Sequence, residues 1–256
     1  MADLPIIPII RVEGFAAAYD GTVILSDVAF DVRAGEVFVI LGGSGCGKST
    51  LLKHMIGLYA PERGRILIEG RDIAHAEGRE RLEILKRIGV MYQMGALFGS
   101  MSLIENVRLP LEEYTDLPGE AMDAIARMKL RLVGLQGSEH QRPSEISGGM
   151  KKRAAIARAM ALDPHILFLD EPSAGLDPIT SAELDQLILR LAHSLGITFV
   201  VVTHELASIY AIADRVIMLD KRAKTIVATG KPAELRDGSD NPWVRQFFKR
   251  EAAETR

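Results

Sequence analysis

Gly42-Gly43-Ser44-Gly45-Cys46-Gly47-Lys48-Ser49-Thr50 fits the pattern G-x-x-x-x-G-K-[ST] and directly follows the apolar run Val37-Phe38-Val39-Ile40-Leu41. Glycines at 42, 45 and 47 let the backbone curl around an anion, so that successive N–H groups and the start of the following helix face it. Lys48 can then reach the β- and γ-oxygens of a bound polyphosphate as a point charge, and the Ser49 hydroxyl is placed to ligate Mg²⁺. The chain is therefore expected to bind a nucleoside triphosphate. Cys46, the single cysteine, admits two readings: a thiolate favoured by the helix start and Lys48, which thiol reagents would find and bound ATP would protect, or a small residue that merely fits the loop.

A second group lies further along. Ile166-Leu167-Phe168-Leu169-Asp170-Glu171 reads as a buried strand delivering two carboxylates at its carboxyl end, where α/β sheets place their ligands. Asp170 would hold the Mg²⁺ shell, and Glu171 is a candidate base for an attacking water. Val201-Val202-Thr203-His204 is another buried strand, ending in a histidine that could donate to the γ-phosphate. Ser147-Gly148-Gly149 opens a helix carrying Lys151, Lys152, Arg153 and Arg158. Such an opening offers unpaired N–H groups to an anion, or is an ordinary serine cap on a solvated basic helix.

The elements that must hold these groups follow from periodicity. Residues 9 to 41 alternate short apolar runs with turns such as Asp20-Gly21 and Ala34-Gly35, predicting several strands before the glycine loop. Thr50 to Leu58 continues as helix, and Ile66-Leu67-Ile68 and Gly89 to Tyr92 read as strands. Helical spacing marks Ser102 to Leu111, Glu120 to Val133 and Gly149 to Ala161, with Met122, Ile125, Met128, Leu132 and Leu135 able to share one side. After Pro164 the pattern is strand (His165 to Leu169), helix (Ile179 to Leu195) and strand (Ile197 to Val202), as in a parallel sheet with crossover helices. The tail predicts a helix near Trp243 to Glu251 whose Trp243, Phe247 and Phe248 dock on the chain's own core or meet a partner.

With 256 residues, 48% of them hydrophobic, the chain can build a full α/β domain with a satellite lobe. Its apolar runs fall far short of the ~20 residues a membrane span needs. The opening ten residues hold Asp3 and two prolines and lack a basic leader, so a cytoplasmic location is expected. A net charge of −3 gives no global basic footprint, and nucleic acid is not an expected partner.

Taken together, these residues resemble the nucleotide-binding subunits of ATP-binding cassette (ABC) transporters, over roughly residues 9 to 235. In that likeness Tyr19 stands where an aromatic stacks on adenine, and Gly42 to Thr50 is the phosphate loop. Gln93 matches the glutamine linking metal and water to the helical lobe, Ile146-Ser147-Gly148-Gly149-Met150 the signature, and Leu169-Asp170-Glu171 the acidic strand. Ala174-Gly175-Leu176-Asp177 corresponds to the dimer-contact loop and His204 to the switch histidine. Where the family has Leu and Gln in the signature, this chain has Ile146 and Met150. Met150, with Gln93-Met94-Gly95-Ala96-Leu97-Phe98, Glu105-Asn106-Val107, Pro110-Leu111 and Asp177-Pro178-Ile179-Thr180, looks like the ATPases of Mla/Mce-type lipid transporters. ATPases of polar amino acid importers, or a non-transport member of the same fold, are the other readings.

The resemblance implies a P-loop NTPase of ABC architecture: a parallel-sheet core with an antiparallel β subdomain (9–93 and 162–230), a helical signature subdomain (94–161) and a tail (231–256). It implies ATP and Mg²⁺ as cofactors, with the metal on Ser49, Gln93 and Asp170, and hydrolysis by Lys48, Gln93, Glu171 and His204. Two subunits would pack head to tail, each ATP lying between one phosphate loop and the partner's signature. A membrane permease would dock against residues 94 to 114, a membrane-anchored lipid-binding subunit would complete the assembly, and the ATPase would sit on the cytoplasmic face of a bacterial inner membrane.

Overall fold

The computed structural model describes residues 8–250. Three strands precede the glycine loop: β1 (Ile10–Tyr19), β2 (Thr22–Val32) and β3 (Val37–Gly42). Then follow α1 (Lys48–Met55), β4 (Arg63–Ile68), β5 (Arg71–Asp72), α2 (Gly78–Leu85) and β6 (Ile88–Met91). Helices α3 (Leu103–Tyr114), α4 (Gly119–Leu132) and α5 (Gly148–Ala159) come next. The remainder is β7 (Ile166–Asp170), α6 (Pro178–Leu195), β8 (Thr198–Val202), α7 (Leu206–Ile212), β9 (Arg215–Asp220), β10 (Thr225–Gly230), α8 (Pro232–Gly238) and α9 (Pro242–Lys249). Strands β5, β9 and β10 and helices α2, α7 and α8 have no counterpart among the elements expected from the sequence. The predicted tail helix ends at Lys249, and Glu251 lies outside the described residues.

The strands form two sheets. One is antiparallel, in the order β2-β1-β4-β5, and the other runs β10-β9-β3-β8-β7-β6, parallel except for the β9–β10 hairpin. Strand β3 is buried on both faces, so its alternate residues serve two cores. Val37, Val39 and Leu41 pack with Leu167, Leu169, Phe199 and the helices α3 to α7. Phe38 and Ile40 face the other way, toward Phe168, Leu51 and Met55 of α1, and the antiparallel sheet. Phe30 of β2 stacks on Phe38 with ring centroids 5.3 Å apart, joining the two sheets.

Two helical details differ from the periodicity. Helix α4 buries Met122, Ala126, Lys129 and Leu130, while Met128 and Leu132 are exposed. Lys129 lies on that buried face, its stem covered and its ammonium paired with the exposed carboxylate of Asp163. The tail helix α9 docks on its own chain: Val244 and Phe248 are buried in the helix-side core, and Trp243 and Phe247 pack against it. The Tyr210 hydroxyl donates to the Phe248 carbonyl at 3.1 Å, which fixes the helix end.

Candidate nucleotide site

Strand register brings the chemistry to one edge. Ile40 of β3 and Asp170 of β7 both lie opposite Val202 of β8, and Met91 of β6 lies opposite Leu169. The residues that follow, namely Gly42, Glu171, His204 and Gln93, therefore leave the carboxyl ends of four neighbouring parallel strands at nearly the same level.

The glycine loop has the shape that its sequence demands. Gly42 and Gly47 have φ of +150° and +103°. A Cβ at position 42 would lie 2.4 Å from the Leu219 carbonyl oxygen, and one at 47 would lie 2.9 Å from the Leu25 side chain. No other residue fits either place. Helix α1 begins after Gly47 without a side-chain cap, so its first N–H groups remain available to an anion. Lys48 Nζ folds back over the loop, donating to the carbonyls of Gly42 at 2.8 Å and Gly43 at 3.2 Å. Ser44 and Ser49 are exposed.

Cys46 corrects one expectation. Its side chain is buried among Leu25, Leu51 and the other residues of the sheet-side core, and burial pushes the thiol pKa up, outweighing the charge of Lys48. The thiol therefore fills space, and the reactive thiolate is not supported.

Asp170 and Glu171 follow β7 as a pair. Burial, then the neighbouring Glu171 charge, raises the Asp170 pKa, with Lys48, Lys53 and Lys152 opposing. Glu171 adopts φ of +46°, uncommon for a residue with a side chain. Its N–H donates to the Val202 carbonyl at 2.8 Å, and its Oε1 lies 2.8 Å from Nδ1 of the exposed His204.

The signature residues occupy a separate surface. Ser147 caps α5, its Oγ accepting from the Met150 N–H at 3.2 Å. Gly149 is packed so closely on α6 that a Cβ there would lie 2.4 Å from the Thr180 methyl. Asp177 caps α6, accepting from the N–H groups of Ile179 and Thr180 at 3.0 Å each. Among the described residues no hydrogen bond joins Ser147, Gly148 or Gly149 to the phosphate loop. Tyr19 is half exposed at the end of β1 and meets Tyr59 edge to face, and Tyr59 in turn touches His54 of α1.

Sequence reading missed the inward cations of α5. Lys152, expected on a solvated basic face, is buried, donating to the Gln93 carbonyl at 2.5 Å and the Glu171 carbonyl at 3.3 Å. Burial lowers its pKa against the pull of Glu171 and Asp170. Arg158 holds the carbonyls of Gly95 at 2.9 Å and Ala96 at 2.7 Å. The available signal was spacing: Lys152 falls three residues after Gly149 and four before Ile156, on the buried face of the helix.

An α/β sheet that places a glycine loop, two carboxylates and a histidine along its carboxyl edge defines a P-loop nucleoside triphosphatase. The chain belongs to the ABC transporter family, whose model matches residues 25–174, and is an ATP-binding ATPase of the ABC type. It is 46% identical over 239 residues to the probable ribonucleotide transport ATP-binding protein mkl of Mycobacterium leprae, covering 93% of this chain and 68% of that protein. It is 40% identical over 245 residues to the intermembrane phospholipid transport system ATP-binding protein MlaF of Haemophilus influenzae, covering 95% and 91%. Among solved structures, the dimeric post-hydrolysis state of the cassette MJ0796, bound to ADP and Pi, superposes with a TM-score of 0.78 at 30% identity. That match covers 87% of this chain and 98% of the other.

Proposed function

We propose that this chain is the ATP-hydrolysing motor of a lipid transporter, acting as a head-to-tail dimer against a membrane permease on the cytoplasmic face of a bacterial inner membrane. The observation that carries the catalytic part is the Glu171–His204 pair, 2.8 Å apart at the sheet edge that also ends in the phosphate loop. The lipid cargo is supported by the MlaF relative, which this chain matches over nearly the full length of both. Among the described residues no helix is long and apolar enough to cross a membrane, which suits a motor that borrows its membrane path from a permease.

In this reading ATP enters with its adenine on Tyr19, and its phosphates replace the loop carbonyls as partners of Lys48. The loop N–H groups from Gly43 to Thr50 wrap the β-phosphate. The hydroxyl of Ser49, the carboxylate of Asp170 and the amide of Gln93 are hard oxygen donors that fit Mg²⁺ arriving with the nucleotide, and they would hold it there. When bound, the ion would neutralise charge on the β- and γ-oxygens. Glu171 takes the proton of the attacking water, while His204 keeps the carboxylate aimed and faces the γ-phosphate. Ser147, Gly148 and Gly149 of the partner subunit, with Met150 and Asp177 at the rim, close the far side and exclude solvent.

Residues 9–93 and 162–230 act as the nucleotide core, 94–161 as the lobe that moves, and 231–256 as the tail. A cavity of about 280 Å³ between the core and α3, lined by Leu58, Leu85, Tyr92, Pro110 and Tyr114, suits side chains presented by a helix of the permease. Affinity purification of Glu171→Gln from its native membranes in ATP, with mass spectrometry of subunits and lipids, tests the assembly. A permease with a membrane-anchored, lipid-carrying subunit is expected. Recovery with a permease for ribonucleotides, amino acids or another polar solute would keep the motor and overturn the cargo, and recovery without any permease would overturn the transporter.

A further inference from the structure

We propose that Lys152 is a positioning residue through which the signature helix sets the geometry of Glu171 in the same subunit. The proposal rests on the reading of Glu171 as the base. Glu171 holds a left-handed backbone conformation that a residue with a side chain keeps only where its surroundings over-determine it. Three of those surroundings come from the sheet edge and its loop: the Val202 carbonyl accepts its N–H, the Ala174 N–H donates to its carbonyl at 3.2 Å, and His204 meets its carboxylate. The fourth comes from a different element. The Lys152 ammonium donates to that same carbonyl and, with the shorter bond, to the carbonyl of Gln93.

Lys152 is only 7% exposed, so its head group is committed to these two carbonyls and does not wander in solvent. It sits five residues past Ser147, on one uninterrupted helix of 12 residues. Arg158, six residues further on, grips Gly95 and Ala96, so the loop after Gln93 rides on the same helix. A displacement of the Ser147 end of α5 therefore reaches the Glu171 carbonyl through one side chain, without passing through the nucleotide. When the neighbouring subunit's ATP draws in the signature, the helix resets the base of its own site, and each site senses whether the opposite one is filled. This is a coupling between two sites carried by a named contact.

The test is ATP hydrolysis by the full chain carrying Lys152→Met, Lys152→Gln or Lys152→Arg, each alone and with Glu171→Gln, with folding checked by thermal melting. Lys152→Met is expected to lower kcat by about 10- to 100-fold through misplacement of the base, leaving the KM for ATP within about threefold. Arg at this position restores most of the rate. In the Glu171→Gln background the residual single-turnover rate changes by less than about twofold, because the group that Lys152 positions is already gone. Wild-type kcat in Lys152→Met, an equal loss in both backgrounds, or no rescue by Arg would each overturn the proposal. If Lys152→Met does not fold, Lys152→Gln carries the same comparison. Near-normal turnover by Glu171→Gln alone overturns the underlying reading of the base, an outcome distinct from a slow Glu171→Gln beside a fast Lys152→Met.

Discussion

Nδ1 of His204, two residues beyond β8, lies 2.8 Å from Oε1 of Glu171, one residue beyond β7. Two adjacent parallel strands thus end in a hydrogen-bonded acid and imidazole, and the pair is fixed by sheet register. Removing the acid is expected to slow hydrolysis by about 10²–10⁴-fold. Glu171→Gln keeps the shape and the contact, so ATP binding should stay within about threefold of wild type while single-turnover cleavage collapses. His204→Ala leaves the carboxylate unaimed and should reproduce most of that loss. Titration with a fluorescent ATP analogue beside a γ-phosphate release assay separates the two effects.

Gly149 and Thr180 make a second prediction. The Thr180 hydroxyl is held by Asp177 at 2.5 Å, so its methyl cannot swing away from a Cβ introduced at 149. Gly149→Ala should cost about 1–3 kcal/mol by overpacking. Thr180→Ser removes the methyl and keeps the hydroxyl, so the double variant should recover most of the stability in urea melts.

Asp185 of α6 supplies a pH dependence. Burial pushes its carboxyl up to about 6, partly opposed by the Ser208 hydroxyl and increased by the Glu205 charge. The unfolded chain releases this proton near pH ~4, whereas the folded chain holds it until near 6. Raising the pH across that window therefore destabilises the fold. Asp185→Asn should melt higher than wild type at pH 8, and the advantage should shrink as the pH falls toward 4.

Cys46 should be unreactive. With its thiol buried and its pKa raised, alkylation of the native chain at pH 7 should run at least about tenfold slower than in denaturant. Added ATP should make little difference, since packing and not occupancy protects the sulfur. Rapid labelling that ATP suppresses would return the thiolate reading.

How far the sequence speaks depends on how local each device is. The phosphate loop is legible because a short glycine pattern and the apolar strand before it are contiguous, and the carboxylates after β7 and the histidine after β8 follow buried runs in the same way. Strands β9 and β10 are hard to see: β9 has only Val216 to Leu219 between charged ends, and β10 is partly exposed along its length. Lys129 and Lys152 are illegible for a shared reason. A periodicity reading sends every lysine to solvent, yet each of these is buried, with its ammonium held by a partner 34 or 59 residues away, respectively Asp163 and the carbonyl of Gln93. The left-handed turn at Glu171 is likewise set by contacts from β8 and α5 that no local window contains.

Strand β3 divides its five apolar residues, Val37 to Leu41, between two cores, and this makes it intolerant of length change. Deleting or inserting one residue between Val37 and Gly42 would reverse the facing of every strand residue on one side of the change, sending residues of each set into the other's core. Both cores would then hold volumes shaped for the other. The loop that begins at Gly42 is therefore indexed to the whole interior of the molecule, and any viable reshaping of the loop has to begin after that glycine.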